Sequence, residues 1–259
     1  MKTRENRKHD HIKYALALAD GPLENGFSQV HVVPNCLPEL NLSQISLATA
    51  LPGIPTLEHP IIINAMTGGA QEAEEINKQL AQVAKLTHSA MAVGSQYGSI
   101  KSNNYLESFT VVRRENPQGI VFANVSPLAT VCEGQQAVDM LEAQALQVHL
   151  NVAQELAMEE GDRNFTGFLK SIEALANNIS VPIIVKETGA GMAAEQINAL
   201  LNVGVNIIDI GGAGGTNFMA IEAARFPTTN TELRTWGLPT AISLLEAARV
   251  MSHNQGIIA

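Results

Sequence analysis

The segment HLNVAQE, which begins at His149, brings an imidazole, two amides and a carboxylate together in a short stretch of chain. Just before it, Leu146 and Val148 alternate with Gln147, and because side chains alternate across a strand, this run predicts a strand with one apolar and one polar face. Glu155 offers a carboxylate to a hard cation that keeps most of its waters, as magnesium does. A lone histidine is more often a satisfied core group than a catalyst, so both interpretations of His149 stay open.

Two further segments carry groups suited to an anionic or flat ligand. Lys186 closes the apolar run VPIIV, so its ammonium lies at a strand end and meets either a ligand at the mouth or an ion-pair partner such as Glu187. The segment GGAGG at 211–215 lacks the GxGxxG spacing of a dinucleotide-binding loop, and no acidic residue follows at the expected distance of about 20 residues on a second strand. We interpret it as backbone clearance for a flat or phosphorylated ligand.

A basic patch stands near the start of the sequence, where Arg7 and Lys8 lie beside His9 and His11. One interpretation is a solvated tail. The other is a mobile clamp for an anion, because 16 Lys and Arg against 25 Asp and Glu give a formal net charge of −9 and leave few other cations for a phosphate. The sequence does not decide between the two.

Several familiar kinds of site are missing from the sequence. We find no Ser/His/Asp arrangement, no carboxylate pair suited to glycoside hydrolysis and no nucleophilic cysteine motif. Cys36 and Cys132 are far apart, without a CxxC or a nearby histidine cluster, and indicate neither a disulfide framework nor a zinc site. The acidic balance, with scattered Lys and Arg, argues against nucleic acid as a partner.

The sequence also predicts no membrane partner. No apolar run approaches the roughly 20 residues that span a bilayer. The start MKTRENRKHDH is charged and does not lead into an apolar signal segment. We therefore expect a cytoplasmic protein.

The elements that must position these residues follow from the pattern of apolar runs. After residues 1–58, for which we predict an irregular segment, short runs rich in Ile and Val alternate with segments of helical periodicity, which is typical of βα units around a parallel sheet. Seven strands are predicted, at 60–66, 89–94, 119–125, 145–150, 181–186, 205–211 and 256–259. Helices are predicted at 71–87, 105–115, 135–144, 166–178, 193–203 and 239–252.

Each of the first six predicted strands ends in a polar or glycine-rich motif. One such ending is usually a turn or a helix cap, but six of them indicate side chains gathered at one place. The polar face of the strand at 145–150 favours a barrel over an open sheet, because strands covered on both faces are nearly unbroken apolar runs. We predict the α/β class, as a (β/α)8 TIM barrel of which seven strands are present, in one domain over 1–259 with its site at the strand ends.

Seven motifs then stand together in chain order. They are NAMTGG at 64–69, VGSQ at 93–96, FAN at 122–124, HLNVAQE at 149–155, EGDR at 160–163, VKE at 185–187 and GGTNF at 214–218. With these motifs the sequence resembles the type 2 isopentenyl diphosphate isomerases over essentially its whole length. The HLNxxQE element is quite specific, and Arg7 with Lys8 fits the start of that family.

The resemblance implies an FMN-dependent barrel that interconverts isopentenyl diphosphate and dimethylallyl diphosphate, with Mg2+ and with NADPH as the reductant of the flavin. FMN would be held by Ala65, Met66, Thr67, Ser95, Asn124, Lys186 and Thr216. The substrate would be met by Arg7, Lys8, Ser95, Gln96, Tyr97, His149, Asn151 and Gln154. Magnesium would be bound by Glu155.

A proton shift along an unactivated alkene needs an acid strong enough to protonate carbon, and an amide such as Gln154 cannot supply one near neutral pH. The resemblance assigns that step to the reduced flavin, without net redox, and implies Gln154, His149 and Lys186 as catalytic residues. Lys186 would stabilise negative charge on the reduced ring. Magnesium at Glu155, together with the basic patch, would neutralise the diphosphate.

The family continues past the seventh strand into a glycine-rich loop, an eighth strand and closing helices, and the loops after strands seven and eight often form phosphate sites. The sequence stops at Ala259, so we expect a C-terminally truncated version that binds FMN weakly or not at all. Two alternatives stay open. One is an FMN-dependent 2-hydroxy acid oxidase, and the other is a non-catalytic barrel fragment completed by another chain along its seventh strand. We also expect a homo-oligomer.

Overall fold

The computed structural model describes residues 4–226 and 231–259. Within them the strands are β1 (Ile62–Ile63), β2 (Ala90–Ala92), β3 (Val121–Val125), β4 (Ala145–Leu150), β5 (Ile183–Glu187), β6 (Ile207–Asp209) and β7 (Gly256–Ile258). The helices are α1 (Arg4–Ala17), α2 (Glu72–Thr87), α3 (Tyr97–Ser102), α4 (Glu107–Glu115), α5 (Val131–Leu141), α6 (Val152–Ala157), α7 (Phe168–Asn178), α8 (Ala194–Asn202), α9 (Phe218–Arg225) and α10 (Thr240–Ala248). Short 3-10 turns lie at Phe27–Gln29, Leu42–Gln44 and Thr231–Thr235. None of the helices in these two ranges is both long enough and apolar enough to cross a membrane.

The order of the strands identifies the architecture. All seven belong to one sheet, and each pairs in parallel with the next strand along the chain. A doubly wound sheet reverses its strand order at a switch point, whereas this sheet proceeds in one direction and curls into a partial barrel. The predicted α/β barrel with seven strands is confirmed.

Every predicted strand overlaps an observed one, and β4 has the predicted bounds. β1 is much shorter than the predicted strand at 60–66. The reason lies at Asn64, whose side-chain Oδ1 accepts the backbone N–H of Ala65 at 2.8 Å. That N–H therefore leaves the ladder, and the backbone turns toward the loop that follows.

The prediction that residues 1–58 are irregular is wrong at the start of the chain, where α1 forms a helix of 14 residues. The helix is mostly polar and lacks a broad apolar stripe, so its periodicity gave no signal. It is fixed instead by tertiary contacts of Asp10 and His11 with α9. Three short helices, α3, α6 and α9, were also missed, because one or two turns are too short to show a period.

Alternate side chains of the strands build two separate apolar layers. Leu146 of β4 faces outward and shares a buried cluster with Phe109 of α4. Phe122 of β3 faces inward and shares a second cluster with Leu51. The Leu51 side chain lies against Gly256, the first residue of β7. The segment around Leu51 therefore closes the N-terminal end of the barrel interior, and the polar residues lie toward the other end.

Arg113 of α4 joins the C-terminal ends of two helices. Its guanidinium donates to the carbonyls of Leu141 at 2.7 Å and Glu142 at 3.0 Å, where α5 ends. It also donates to the carbonyls of Asn116 at 3.2 Å and Gly119 at 2.9 Å, after α4. We expect Arg113→Met to lower the free energy of unfolding by about 3 kcal/mol, because these carbonyls lose their donor. Urea unfolding followed by circular dichroism measures the loss.

Arg114, the next residue of α4, provides the matched control. Its side chain is 59% exposed and lies 3.8 Å from Glu74 and 4.0 Å from Glu115. Exposed ion pairs contribute about 0–1 kcal/mol, so Arg114→Met should change the free energy of unfolding by less than about 1 kcal/mol. Equal losses in the two variants would contradict the stabilising role of the Arg113 hydrogen bonds.

Candidate active site

A cavity of about 680 Å³ opens at the C-terminal ends of the strands. Most of the residues singled out in the sequence line it. They are Arg7, Lys8, Ala65, Met66, Ser95, Tyr97, Asn124, His149, Asn151, Gln154, Glu155, Lys186 and Thr216. The active sites of barrel enzymes lie at this end of the sheet, so the cavity is the candidate site.

Two of the predicted contacts lie outside that lining. Gln96, predicted to meet the substrate, is 0% exposed. Its Nε2 donates to the Ala137 carbonyl at 3.0 Å, and its Oε1 accepts the backbone N–H of Asn124 at 2.9 Å. Thr67, predicted to hold FMN, turns its hydroxyl to Asn77 Oδ1 at 2.5 Å. Both side chains make hydrogen bonds within the protein, and their contacts with substrate and FMN stay predictions.

A row of hydrogen bonds crosses the barrel interior next to the cavity. His149 Nδ1 lies 2.8 Å from Asn124 Oδ1, and Asn124 Nδ2 donates to Gln147 Oε1 at 3.3 Å. Gln147 Nε2 donates to Asn64 Oδ1 at 3.0 Å, and Asn64 Nδ2 donates to Asp209 Oδ2 at 2.6 Å. We call Asn124, Gln147 and Asn64 the amide network. It connects His149 of β4 to the carboxylate of Asp209 on β6.

Lys186 stands at the other end of this row. Its Nζ lies 3.5 Å from Asp209 Oδ2 and donates to the backbone carbonyl of Glu187 at 3.0 Å. The side chains of Lys186 and Asp209 are 12% and 3% exposed. The ion-pair partner of Lys186 is thus Asp209 and not the Glu187 carboxylate. Because Lys186 also lines the cavity, its charge is held at a fixed place beside any ligand.

A second group of polar side chains surrounds Gln154. Its Nε2 donates to Glu222 Oε1 at 3.0 Å, and His11 Nε2 lies 2.8 Å from the same oxygen. Arg225 pairs with the other carboxylate oxygen of Glu222. Burial acts to raise the pKa of Glu222, but hydrogen bonds and charge from His11, Gln154 and Arg225 outweigh it and hold the pKa below its ordinary value. Glu222 is therefore an acceptor that orients the Gln154 amide.

The same arginine anchors the basic patch. Arg225 pairs with Asp10 of α1 at 3.4 Å and with Glu160 at 2.7 Å. Arg7 and Lys8 lie on this anchored helix and line the cavity. The basic patch therefore lies at the cavity, and the structure supports this interpretation rather than that of a solvated tail.

Glu155 is held in place by the segment that follows it. Its Oε1 accepts from Asn151 Nδ2 at 2.9 Å, and its Oε2 accepts the backbone N–H of Asp162 at 2.9 Å. Among the described residues, no three His, Cys, Asp or Glu side chains stand close enough together to hold a metal ion. The arrangement fits a cation such as Mg2+ that takes one carboxylate from the protein and its other ligands from water and phosphate.

Open backbone bounds the cavity after β6. A side chain at Gly211 would place its Cβ 2.1 Å from the carbonyl oxygen of Glu187, so only glycine fits there. Gly215 has no heavy atom within 4 Å of its Cβ position and lines the cavity beside Thr216. This bare backbone lines the same cavity as Lys186 and leaves room for a flat or phosphorylated group.

Three residues of the hydrogen-bonded row and of the polar group around Gln154 were not predicted from the sequence. Asp209 stands inside the apolar run VNIIDI, and a charged residue within a predicted strand was the available signal. Glu222 and Arg225 are three residues apart on α9, which lies beyond GGTNF where no helix was predicted. Glu222 and Arg225 pair with residues of α1 that are more than 200 positions away, so no local sequence pattern predicts these contacts.

Glu187 closes β5 and organises the loop after it. Its Oε2 accepts the backbone N–H groups of Gly189 at 2.7 Å, Ala190 at 2.5 Å and Gly191 at 3.1 Å. Burial outweighs these hydrogen bonds and raises the pKa of Glu187 from 4.5 to about 7. At a given pH the Glu187 carboxyl is therefore protonated to a larger fraction in the folded protein than in the unfolded chain.

We expect Glu187 to make the stability depend on pH. A carboxyl whose pKa is raised by folding stabilises the fold below its unfolded pKa of 4.5, and that contribution is lost as the pH rises through about 7. Wild type should therefore lose up to about 3 kcal/mol relative to Glu187→Gln over this range. Urea unfolding at a series of pH values measures the difference, and a difference that stays constant with pH would contradict the expectation.

Comparison with solved structures supports the barrel. Inosine 5'-monophosphate dehydrogenase from Legionella pneumophila matches with a TM-score of 0.53 at 16% identity, over 93% of this chain and 61% of that one. A mandelate oxidase variant matches with a TM-score of 0.52 at 13% identity, over 80% of this chain and 68% of that one. At these identities the likeness concerns the fold alone.

Comparison with curated proteins identifies the family, although no family model matches the sequence. The chain is 48% identical over 248 residues to an isopentenyl-diphosphate delta-isomerase of Geobacillus sp., covering 95% of this chain and 70% of the relative. It is 49% identical over 246 residues to the protein of that name from Bacillus cytotoxicus, with the same coverage, and 49% identical over 245 residues to that of Bacillus cereus. With the ordered motifs gathered at one cavity and this identity over nearly its whole length, the chain belongs to the isopentenyl-diphosphate delta-isomerase family.

Proposed function

We propose that this protein interconverts isopentenyl diphosphate and dimethylallyl diphosphate in the cavity at the strand ends. One observation carries the proposal. The cavity brings the cations of α1 and β5 together with the carboxylate that follows β4, namely Arg7, Lys8, Lys186 and Glu155. A site with these groups suits an anionic ligand whose charge is met partly by protein cations and partly by a bound Mg2+.

The diphosphate end of the ligand is assigned to the α1 side. Arg7 and Lys8 present donors there, and Arg225 holds their helix through Asp10 at 3.4 Å. Arg is suited to bidentate contact with phosphate oxygens. Glu155 would hold Mg2+, which would supply further positive charge for the diphosphate. The remaining cavity, toward β2 and β3, is left for the apolar end of the ligand and for a flat cofactor.

FMN is the cofactor that we propose for this space. Ala65, Met66, Ser95, Asn124, Lys186 and Thr216 would hold it, with the open backbone at Gly215 beside its phosphate end. Bound there, a reduced flavin would supply the proton chemistry that amide and hydroxyl side chains cannot supply. NADPH as reductant, a homo-oligomeric assembly and a cytoplasmic location stay predictions.

The side chains of the site then have defined tasks. Gln154 donates from Nε2 to Glu222 and accepts at Oε1 from Asn151 at 3.3 Å, so its amide is fixed on both sides and orients the ligand without exchanging a proton. Lys186 places positive charge beside the cofactor position, where negative charge on the reduced ring would be stabilised. His149 meets the ligand from the neighbouring strand β4.

An isomerase is favoured over the two alternatives. The likeness to mandelate oxidase concerns the fold alone, whereas the relatives at 48–49% identity are named isopentenyl-diphosphate delta-isomerase. A non-catalytic fragment completed by another chain would need a partner, so light scattering after size-exclusion chromatography tests it. A clean monomer would argue against completion by a second chain.

The test of the function is product formation. Protein, Mg2+ and isopentenyl diphosphate are incubated with chemically reduced FMN, and dimethylallyl diphosphate is measured by NMR. FMN is raised to saturation. Because the match covers 70% of the Geobacillus relative, a fusion to the remaining part of that relative is measured beside the chain. Failure of both folded proteins to form product would refute the proposal.

Glu155→Gln should weaken the binding of Mg2+ at the proposed metal site. The amide keeps the shape of the side chain but removes its charge, so we expect the Mg2+ concentration for half-maximal rate to rise at least about tenfold. Glu173→Gln, on the exposed face of α7, should leave it unchanged. An equal Mg2+ requirement in both variants would remove Glu155 from the metal site.

A further inference from the structure

This inference rests on the proposed function and concerns the loop that follows β1, residues 65–69, which we call the β1 loop. Ala65 and Met66 line the cavity and are two of the residues proposed to hold FMN. Residues 67–69 lie outside the lining and contact α2 and α4. The place of the cavity-lining part is therefore set by contacts behind it.

Asn77 of α2 binds the β1 loop from one side. Four residues of α2 are buried, of which three are alanines and the fourth is Asn77, which is 1% exposed. Burying an amide costs free energy unless its donors and its acceptor find partners. An amide on a face of small apolar side chains therefore indicates a role in hydrogen bonding rather than in packing.

The partners of Asn77 fix the direction of its amide. Nδ2 donates to the carbonyl of Thr67 at 3.2 Å and to the carbonyl of Ser108, on α4, at 2.6 Å. Because carbonyls only accept hydrogen bonds, the NH2 group must face both of them, and Oδ1 is left for the Thr67 hydroxyl at 2.5 Å. One side chain thus binds the backbone and the hydroxyl of Thr67 and connects both to α4.

The start of α4 binds the loop from the other side. Ser108 is 2% exposed, and its Oγ accepts the backbone N–H of Gly69 at 2.9 Å and donates to the carbonyl of Tyr105 at 2.6 Å. Gly68 lies directly against the ring of Phe109, since a Cβ at this glycine would come within 2.2 Å of the ring. The loop is therefore hydrogen-bonded on both sides of its contact with Phe109.

Thr67 connects this arrangement to the neighbouring part of the cavity wall. Its carbonyl also accepts the backbone N–H of Gly94 at 2.8 Å, and a Cβ at Gly94 would lie 2.8 Å from the same carbonyl oxygen. Gly94 and Ser95 follow β2 and line the same cavity as Met66. The place of Thr67 therefore sets the spacing between two backbone segments of the wall.

We propose that Asn77 and Ser108 are positioning residues for FMN, which hold the β1 loop at a fixed distance from the end of β2. Neither side chain belongs to the cavity lining, so both act through the loop. A binding segment that is already ordered lowers the free energy lost when the ligand binds. Removing either set of hydrogen bonds should therefore weaken FMN binding without deleting a group of the lining.

The order of the loop is measured without cofactor, from 15N relaxation of the unliganded protein. A rigid backbone has an order parameter of about 0.85, and a flexible one falls below about 0.6. We expect the rigid value at Thr67 and Gly69 in wild type. Asn77→Leu keeps the approximate size of the side chain and removes its hydrogen bonds, so both amides should take the flexible value while those of β4 stay rigid.

FMN binding provides the second readout. Quenching of flavin fluorescence is titrated for the chain and for its fusion to the remaining part of the Geobacillus relative. Asn77→Leu should raise the FMN dissociation constant at least about tenfold, because several hydrogen bonds that order the loop are lost together. Ser108→Ala should raise it about threefold and loosen Gly69, and it carries the test where Asn77→Leu does not fold.

Two controls separate positioning from a loss of stability. Asn178→Leu makes the same substitution at the exposed end of α7. Arg113→Met removes hydrogen bonds at the ends of α4 and α5 and does not contact the β1 loop. Both should keep the wild-type order parameters of the loop and the wild-type FMN dissociation constant, and circular dichroism checks that each variant is folded.

Wild-type order parameters in both Asn77→Leu and Ser108→Ala would overturn the proposal. An unchanged FMN dissociation constant in a variant whose loop is flexible would do the same, as would an equal loss of FMN binding in Arg113→Met. If neither the wild-type chain nor its fusion binds FMN, the proposed cofactor is refuted, whereas the order parameters still decide whether Asn77 holds the loop.

Discussion

Arg225→Met is expected to lower the free energy of unfolding by about 3–5 kcal/mol, because the buried carboxylate of Glu222 loses its arginine and keeps the contacts of His11 and Gln154. The side chains of Arg225 and Glu222 are both 0% exposed. Arg225 also reaches Asp10 at 3.4 Å and Glu160 at 2.7 Å. Methionine fills much of the volume of the arginine stem, so the loss reports the missing charge and hydrogen bonds.

The same substitution should loosen α1, because the ion pair of Asp10 with Arg225 joins this helix to α9, as does the contact of His11 with Glu222. Trypsin should then cleave after Lys8 or Lys13 faster than in wild type. Arg249→Met is the control, since Arg249 is 69% exposed and pairs with Glu246 on the surface at 2.9 Å. If Arg225→Met unfolds with the same free energy as wild type and is cleaved at the same rate, then α1 is held by other contacts.

Lys186→Met is expected to lower kcat/KM about 100-fold to 1,000-fold at saturating FMN and Mg2+. A charge held in a largely buried position beside the reacting group has an effect of this size in catalysis. The Lys186 side chain is 12% exposed and is oriented by Asp209 at 3.5 Å. Its removal takes positive charge from the proposed cofactor position and leaves Asp209 paired with Asn64 alone among the contacts described above.

Steady-state rates of isopentenyl diphosphate turnover measure the loss of kcat/KM. FMN titration followed by absorbance measures any loss of cofactor binding. Lys170→Met, on the exposed face of α7, is the matched control and should keep the wild-type rate. A Lys186→Met variant that turns over within about threefold of wild type would contradict the electrostatic role of the lysine.

The order of the elements could be predicted because βα units leave a strong local signal. β4 was predicted with its observed bounds, since its alternation of apolar and polar residues reports both of its faces. α5 begins at Val131, four residues before the predicted start at 135, because Thr130 and Glu133 form a capping box there. A threonine followed by a glutamate three residues later is the sequence signal of this helix start.

Features that the sequence did not reveal depend on partners distant in the chain. α1 has no apolar stripe, and its position is set by Arg225 and Glu222, more than 200 residues away. Gln96 carries the motif signal of a ligand contact, yet its side chain binds Ala137 and Asn124. Spacing along the sequence indicates which residue types gather at a site, but the direction of each side chain is decided by packing and hydrogen bonds across strands.

Conversion of isopentenyl diphosphate in the cavity at the strand ends is measured by NMR detection of dimethylallyl diphosphate with Mg2+ and saturating reduced FMN. We predict product that requires Mg2+ and falls about 100-fold or more in Lys186→Met. No product from either the chain or its fusion to the remaining part of the Geobacillus relative, both folded by circular dichroism, would contradict the claim.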